Sequence, residues 1–111
     1  MGIKKGISIV FLDDAQIRKY NKEFLNKNSA TDVLSFKSDS KRYLGDILIS
    51  VERAKVNSKR FKSTFLKELT LYIIHGLLHL KGFKDYNKKD AEKMRKREAE
   101  ILNLLDEKGY L

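Results

Sequence analysis

The sequence contains no cysteine, and this absence removes two kinds of site. A disulfide framework cannot form, and no thiolate is present to hold a metal ion. Any metal ion that the protein binds must therefore be held by nitrogen and oxygen ligands.

Long apolar stretches are also lacking. Residues 1–6 have no apolar segment of the kind that a signal peptide carries. The longest apolar run, residues 71–80, is far shorter than the stretch a helix needs to cross a bilayer. We therefore expect a cytoplasmic location and no membrane partner.

Acidic residues are outnumbered by basic ones. The chain has 24 Lys+Arg against 15 Asp+Glu, which gives a formal charge of +9. Such an excess favours a polyanionic partner, because lysine and arginine contacts to phosphates release counterions. A solvated, lysine-rich surface without such a partner explains the charge equally well. With 111 residues, 41% of them apolar, we expect one domain that spans residues 1–111.

The apolar pattern predicts seven elements in the order β-α-β-β-α-α-α. Three strands are too few for a doubly wound sheet, so we predict an α+β fold. A small mixed sheet should pack on a central helix that is apolar nearly all round and is therefore buried. The predicted strands are residues 6–12, 31–36 and 44–50. The predicted helices are residues 15–26, 50–61, 63–80 (capped by Ser63 or Thr64) and 87–108.

Histidine is scarce, and both copies lie in the predicted central helix. His75 and His79 are four residues apart, so both imidazoles project from one face about one turn apart. Gly82 follows where a helix commonly ends through a left-handed glycine, and the turn should bring Asp85 back to that face. Two nitrogens and one carboxylate oxygen, with a fourth position open to water, are typical of catalytic zinc. The sequence predicts a hydrolytic metal centre.

The same pattern allows two other interpretations. Both histidines could be core residues that hydrogen-bond to the backbone without binding any metal. A zinc peptidase of the H-E-x-x-H type would also place two histidines at this spacing. Gly76 follows His75 where that motif has its general-base glutamate, so peptide hydrolysis is disfavoured.

Asp46 interrupts an otherwise apolar strand, where a carboxylate needs a partner or a task. A local hydrogen bond to the backbone is the common explanation. We nevertheless take Asp46 and Asp32 as candidates for orienting the metal ligands or transferring protons.

Basic residues next to the predicted metal loop are candidates for binding a phosphate backbone. No RNP-type aromatic pattern is present, so base-specific recognition is not expected. The candidates are Lys84, Lys88, Lys89, Lys93 and Arg97.

Four collinear segments resemble the YbeY family of bacterial metal-dependent endoribonucleases, also called rRNA maturation factors. They are Thr-Asp-Val-Leu-Ser-Phe at 31–36, Leu-Gly-Asp-Ile at 44–47, His-Gly-Leu-Leu-His-Leu-Lys-Gly-Phe at 75–83, and Met94 followed by Glu98. The resemblance extends from about Ile7 to Leu102. It implies an α+β fold with one zinc ion per chain, bound in a metzincin-like site. It also implies cleavage of single-stranded RNA in 16S rRNA maturation and ribosome quality control, with rRNA or a ribosomal subunit as partner and no DNA.

The chain departs from the family pattern at two positions that bear on the reaction. The family has three histidine ligands, and His75 and His79 match the first two, whereas Asp85 stands at the third. An aspartate ligand would make the site one charge less positive and weaken the metal ion as a Lewis acid. Leu25 stands where the family usually has an arginine. These departures support an alternative function, a non-catalytic RNA- or ribosome-binding module that keeps the fold.

Overall fold

Three strands form a mixed sheet in the order β1-β3-β2. In the computed structural model, which describes residues 6–111, β1 runs parallel to the central β3 and β2 runs antiparallel to it. The predicted α+β class with a small mixed sheet is confirmed. The elements are β1 (Gly6–Leu12), α1 (Asp14–Leu25), β2 (Val33–Lys37), β3 (Tyr43–Ser50), α2 (Val51–Arg60), α3 (Phe65–Leu80) and α4 (Lys88–Glu107).

Each helix begins at a side chain that caps it. Asp13 and Gln16 form a reciprocal capping box at α1, and of the two candidates for α3 the structure selects Thr64, whose side chain accepts from the Lys67 N–H. The second strand begins later than predicted. The carboxylate of Asp32 accepts a hydrogen bond from the N–H of Val33 at 2.9 Å. Regular strand structure therefore starts only at Val33, after this local bond.

Helix α3 is the central element, as the apolar pattern predicted. One side packs on the sheet through Tyr72 and Leu80, which meet Ile47 and Ile49 of β3. Another side packs on α4, where Leu78 of α3 and Met94 of α4 are the most buried side chains of the contact. The histidine-bearing helix is thereby held between the sheet and α4.

The opposite face of the sheet is covered by α1. Ile17 of α1 packs on Leu34 and Leu48, which alternate along their strands with the residues that face α3. Within residues 6–111, no helix is both long and apolar enough to cross a membrane.

Candidate metal centre

The end of α3 turns the chain back toward the histidines. Gly82 has φ 102°, and the N–H groups of Gly82 and Phe83 bond to the carbonyls of His79 and Leu78 at 3.0 and 2.9 Å. This pair of bonds is a Schellman motif, which requires a left-handed residue at the position of Gly82. As the sequence predicted, the reversal returns Asp85 to the helix face that carries the histidines.

Three potential ligand atoms converge there. His75 Nε2 and His79 Nε2 are 3.1 Å apart, and Asp85 Oδ2 lies 3.8 Å from the first and 3.5 Å from the second. A tetrahedral zinc ion with bonds of about 2.0–2.1 Å holds its donor atoms about 3.4 Å apart. The spacing and the chemistry of this donor set therefore fit a metal ion with one further position open.

The other ring nitrogens are engaged by acceptors. His75 Nδ1 lies 2.5 Å from Glu98 Oε1, and His79 Nδ1 lies 3.1 Å from the carbonyl oxygen of Phe83. A carboxylate and a carbonyl only accept, so both Nδ1 atoms carry the hydrogen, and in the neutral imidazoles both Nε2 atoms present lone pairs. Two facing lone pairs at 3.1 Å repel each other unless a positive charge lies between them. This geometry favours a cation at the site.

The electrostatics of His75 point the same way. Burial alone would lower its pKa, but the hydrogen bond that His75 donates to Glu98 and the charges of Glu98, Asp85 and Asp32 more than offset that effect. The pKa of His75 is therefore raised above its ordinary value. The acidic surroundings favour positive charge on or beside this imidazole.

A cleft of about 410 Å³ opens over the donor atoms. Helix α3, strand β2 and the loop after α3 all contribute to its lining. Two cations, Lys37 and Lys84, line it together with the largely exposed ring of Tyr86. Leu25 lines it too and offers no charge.

Of the two predicted auxiliary carboxylates, the structure brings only Asp32 toward the histidines. Asp32 precedes β2, and its charge contributes to the raised pKa of His75. Asp46 follows Gly45 and precedes Ile47, which packs against α3, so Asp46 faces the other side of the sheet. There its carboxylate accepts from the Tyr43 hydroxyl in a separate cavity of about 390 Å³. The position of Asp46 gives it no part in the metal centre.

The predicted RNA-binding cations lie at different distances from the centre. Lys84 lines the cleft itself, and Lys93 lines an adjoining cavity of about 330 Å³ that Lys84 shares. Lys88 and Lys89 are exposed in the first turn of α4. Arg97 is farther along α4 and pairs with Glu100 at 3.1 Å.

Sequence reasoning did not assign roles to two residues of the site. Lys37 gave no sequence signal of a role, because a lysine at the end of a strand does not indicate which cleft it lines. Glu98 was part of the family pattern, but its pairing with His75 joins residues 23 positions apart and depends on how α4 packs. The i, i+4 relation of buried Met94 to Glu98 was the available signal.

Comparisons with known proteins identify relatives over most of the chain. The profile of the family described as "Endoribonuclease YbeY" matches residues 2–106. A protein of that name from Karelsulcia muelleri is 45% identical over 107 residues, covering 94% of this chain and 74% of its own length. Another, from Flavobacterium johnsoniae, is 42% identical over 95 residues, covering 85% and 68%. The solution structure of TM1509 from Thermotoga maritima matches with a TM-score of 0.62 and 29% identity, covering 96% of this chain and 74% of that one.

Proposed function

Because this chain belongs to the YbeY family of endoribonucleases, we propose that it hydrolyses phosphodiester bonds of single-stranded RNA at the cleft over His75, His79 and Asp85. The observation that carries the proposal is the convergence of two imidazole nitrogens and a carboxylate oxygen at the spacing of a tetrahedral ion. The acidic surroundings that raise the pKa of His75 support the proposal, because they favour positive charge at this point.

We propose one zinc ion per chain at this site. Two histidine nitrogens with one carboxylate oxygen are a ligand set that catalytic zinc uses, and soft ligands are lacking because the chain has no cysteine. A zinc ion bound here would act as a Lewis acid toward water and the scissile phosphate. Its charge would be partly neutralised by Asp85. The neighbouring cations would therefore contribute more to stabilising the charge of the phosphate than in a site with three neutral ligands.

The chain's own residues would bind and orient the RNA. Lys37 and Lys84 line the cleft on different segments and would contact phosphates near the metal centre. Lys93 in the adjoining cavity, with Lys88 and Lys89 beyond it, would hold the flanking backbone. Arg97 would join them after leaving its exposed pair with Glu100, which is a weak i, i+3 interaction. Asp32 would favour protonated or metal-bound His75 through its charge.

The exposed ring of Tyr86 in the same cleft offers a surface on which a base of a single strand can stack. Stacking tolerates every base, so the expected substrate preference is for unpaired RNA rather than for a sequence. An rRNA precursor or a ribosomal subunit, and hence a cytoplasmic location, is the biological setting that we propose for this activity.

The peptidase alternative fails on packing as well as on sequence. A Cβ on Gly76 would lie 2.7 Å from Ile47 Cγ2 and 3.1 Å from Ser35 Oγ, so this position faces the sheet. A glutamate there has neither room nor access to the cleft. The non-catalytic binding module gains no support from the relatives, which are named as endoribonucleases.

Single-turnover cleavage of an unstructured RNA tests the proposed function. The zinc-supplied wild type should cleave it, and the His75→Ala variant should fall to the rate of protein-free buffer. Lys41→Ala, in the exposed loop before β3, is the matched control and should cleave like the wild type. Equal rates in wild type and His75→Ala would refute the hydrolase proposal and leave the binding module.

A further inference from the structure

Glu98 reaches the metal centre from a different element than the three donors. It lies one turn after Met94 on α4, and Met94 is 1% exposed in the cluster that joins α4 to Ile74 and Leu78 of α3. The Glu98 side chain is 12% exposed, and its Oε1 lies 2.5 Å from His75 Nδ1. The packing of α4 on α3 thus fixes a carboxylate against the far edge of a ligand imidazole.

The two histidines differ in what holds them. His79 Nδ1 lies against the backbone carbonyl of Phe83. The turn after α3 supplies this acceptor through its backbone, so the acceptor does not depend on which side chain follows. Among residues 6–111, the acceptor for His75 Nδ1 is a side chain, that of Glu98. A neutral imidazole has two tautomers, and just one of them leaves the Nε2 lone pair free toward Asp85 and His79. Selection of that tautomer at His75 therefore depends on the residue at position 98.

We propose that Glu98 is a positioning residue of the metal centre, which holds His75 with Nδ1 protonated and Nε2 directed at the ion. This inference rests on the proposed metal site but not on the nature of the substrate. A buried carboxylate behind a ligand histidine fixes the ring orientation and increases the basicity of the ligand nitrogen. Metal binding and the packing of α4 on α3 are therefore coupled through the contact between His75 and Glu98.

The tautomer of His75 is measured directly in the metal-free protein by long-range proton–nitrogen NMR, above the pKa of His75. The chain has only two histidines, so a His79→Ala variant assigns the signals. The wild type should show the Nδ1–H form at His75. Glu98→Gln should keep it, because the amide oxygen still accepts, whereas Glu98→Ala should lose it. An unchanged tautomer in Glu98→Ala would overturn the proposal.

Metal affinity supplies the second readout. Competition titrations with zinc should give a dissociation constant about 10- to 100-fold higher for Glu98→Ala than for the wild type, with Glu98→Gln in between. Glu92→Ala, on an exposed position of the same helix, should bind like the wild type. Partial recovery of zinc affinity in Glu98→Gln would show that Glu98 positions the ligand rather than maintaining the fold. Thermal unfolding of each variant checks that the fold is kept. Equal affinity for Glu98→Ala and wild type would overturn the role of Glu98 while leaving the metal site intact. A wild type that binds no zinc would instead overturn the metal site and this role with it.

Discussion

At the scale of single residues, the balance of charge over the cleft decides how this site can act on an anion. Asp85 contributes a negative charge to the donor set, and Leu25 contributes none to the lining. Lys37 and Lys84 are the cations among the cleft-lining residues. The attraction of RNA phosphates to the immediate surroundings of the metal centre therefore depends on these two lysines.

Replacing Lys37 with alanine should weaken RNA binding in a salt-dependent way. Each phosphate contact on a single strand contributes about 0.7 to the slope of log K against log salt, so the variant's slope should be shallower by about that amount. Fluorescence anisotropy with an unstructured RNA at several salt concentrations measures it. Lys41→Ala removes the same charge outside the cleft and should keep the wild-type slope. A loss of slope as large for Lys41 as for Lys37 would show that only total charge matters.

At the scale of elements, helix α3 shows why the fold was predictable from the sequence. Its cap, its all-round apolar pattern and the glycine after its end are local signals, and the structure matches each of them. The small deviations have local causes too, such as the Asp32 bond that delays β2 until Val33. What the pattern could not supply is which face of the sheet α3 covers. Both faces of β3 carry apolar residues. The alternation along the strand separates Ile47 from Asp46, but it does not indicate which of the two faces packs against α3.

A buried hydroxyl, that of Tyr72, joins helices α2 and α3 by a hydrogen bond. Its ionisation should lower the free energy of unfolding at alkaline pH. Tyr72 is 4% exposed, and its hydroxyl accepts from Asn57 Nδ2 at 2.6 Å. Burial raises the pKa of Tyr72 to about 12, although the Asn57 hydrogen bond opposes the shift. Because the folded pKa lies above the unfolded value of about 10, the stabilisation is complete below pH 10 and is lost as pH rises through 12.

The expected loss is about 3 kcal/mol across that interval, at about 1.4 kcal/mol for each unit of pKa shift. Urea unfolding between pH 9 and pH 12 measures it by comparing the wild type with Tyr72→Phe. The variant should be less stable near neutral pH, because Asn57 loses its partner, at a cost of about 1 kcal/mol. Above pH 10 its stability should fall less steeply than that of the wild type. Parallel curves would mean that Tyr72 ionises no differently in the folded and unfolded chains.

At the scale of the whole molecule, the site is less predictable than the fold because it is assembled from distant segments. The two histidines and Asp85 fall within one helix and its turn, so local spacing sufficed to predict that they would meet. Glu98 comes from α4 and Lys37 from β2, and their arrival depends on tertiary packing that no local pattern encodes. The formal charge of +9 indicated an anionic partner but not where it binds. In the structure, several lysines line the cleft over the histidines and the cavity beside it.

The proposed activity depends above all on one metal ion held by His75, His79 and Asp85. Elemental analysis of the purified wild type, His79→Ala and Asp85→Ala proteins, each dialysed under identical conditions after zinc addition, tests it most directly. We expect one zinc per chain in the wild type and substoichiometric zinc in both variants, all three with the same far-UV circular dichroism. Zinc retained at one per chain in both variants, or absent from the wild type, would contradict it.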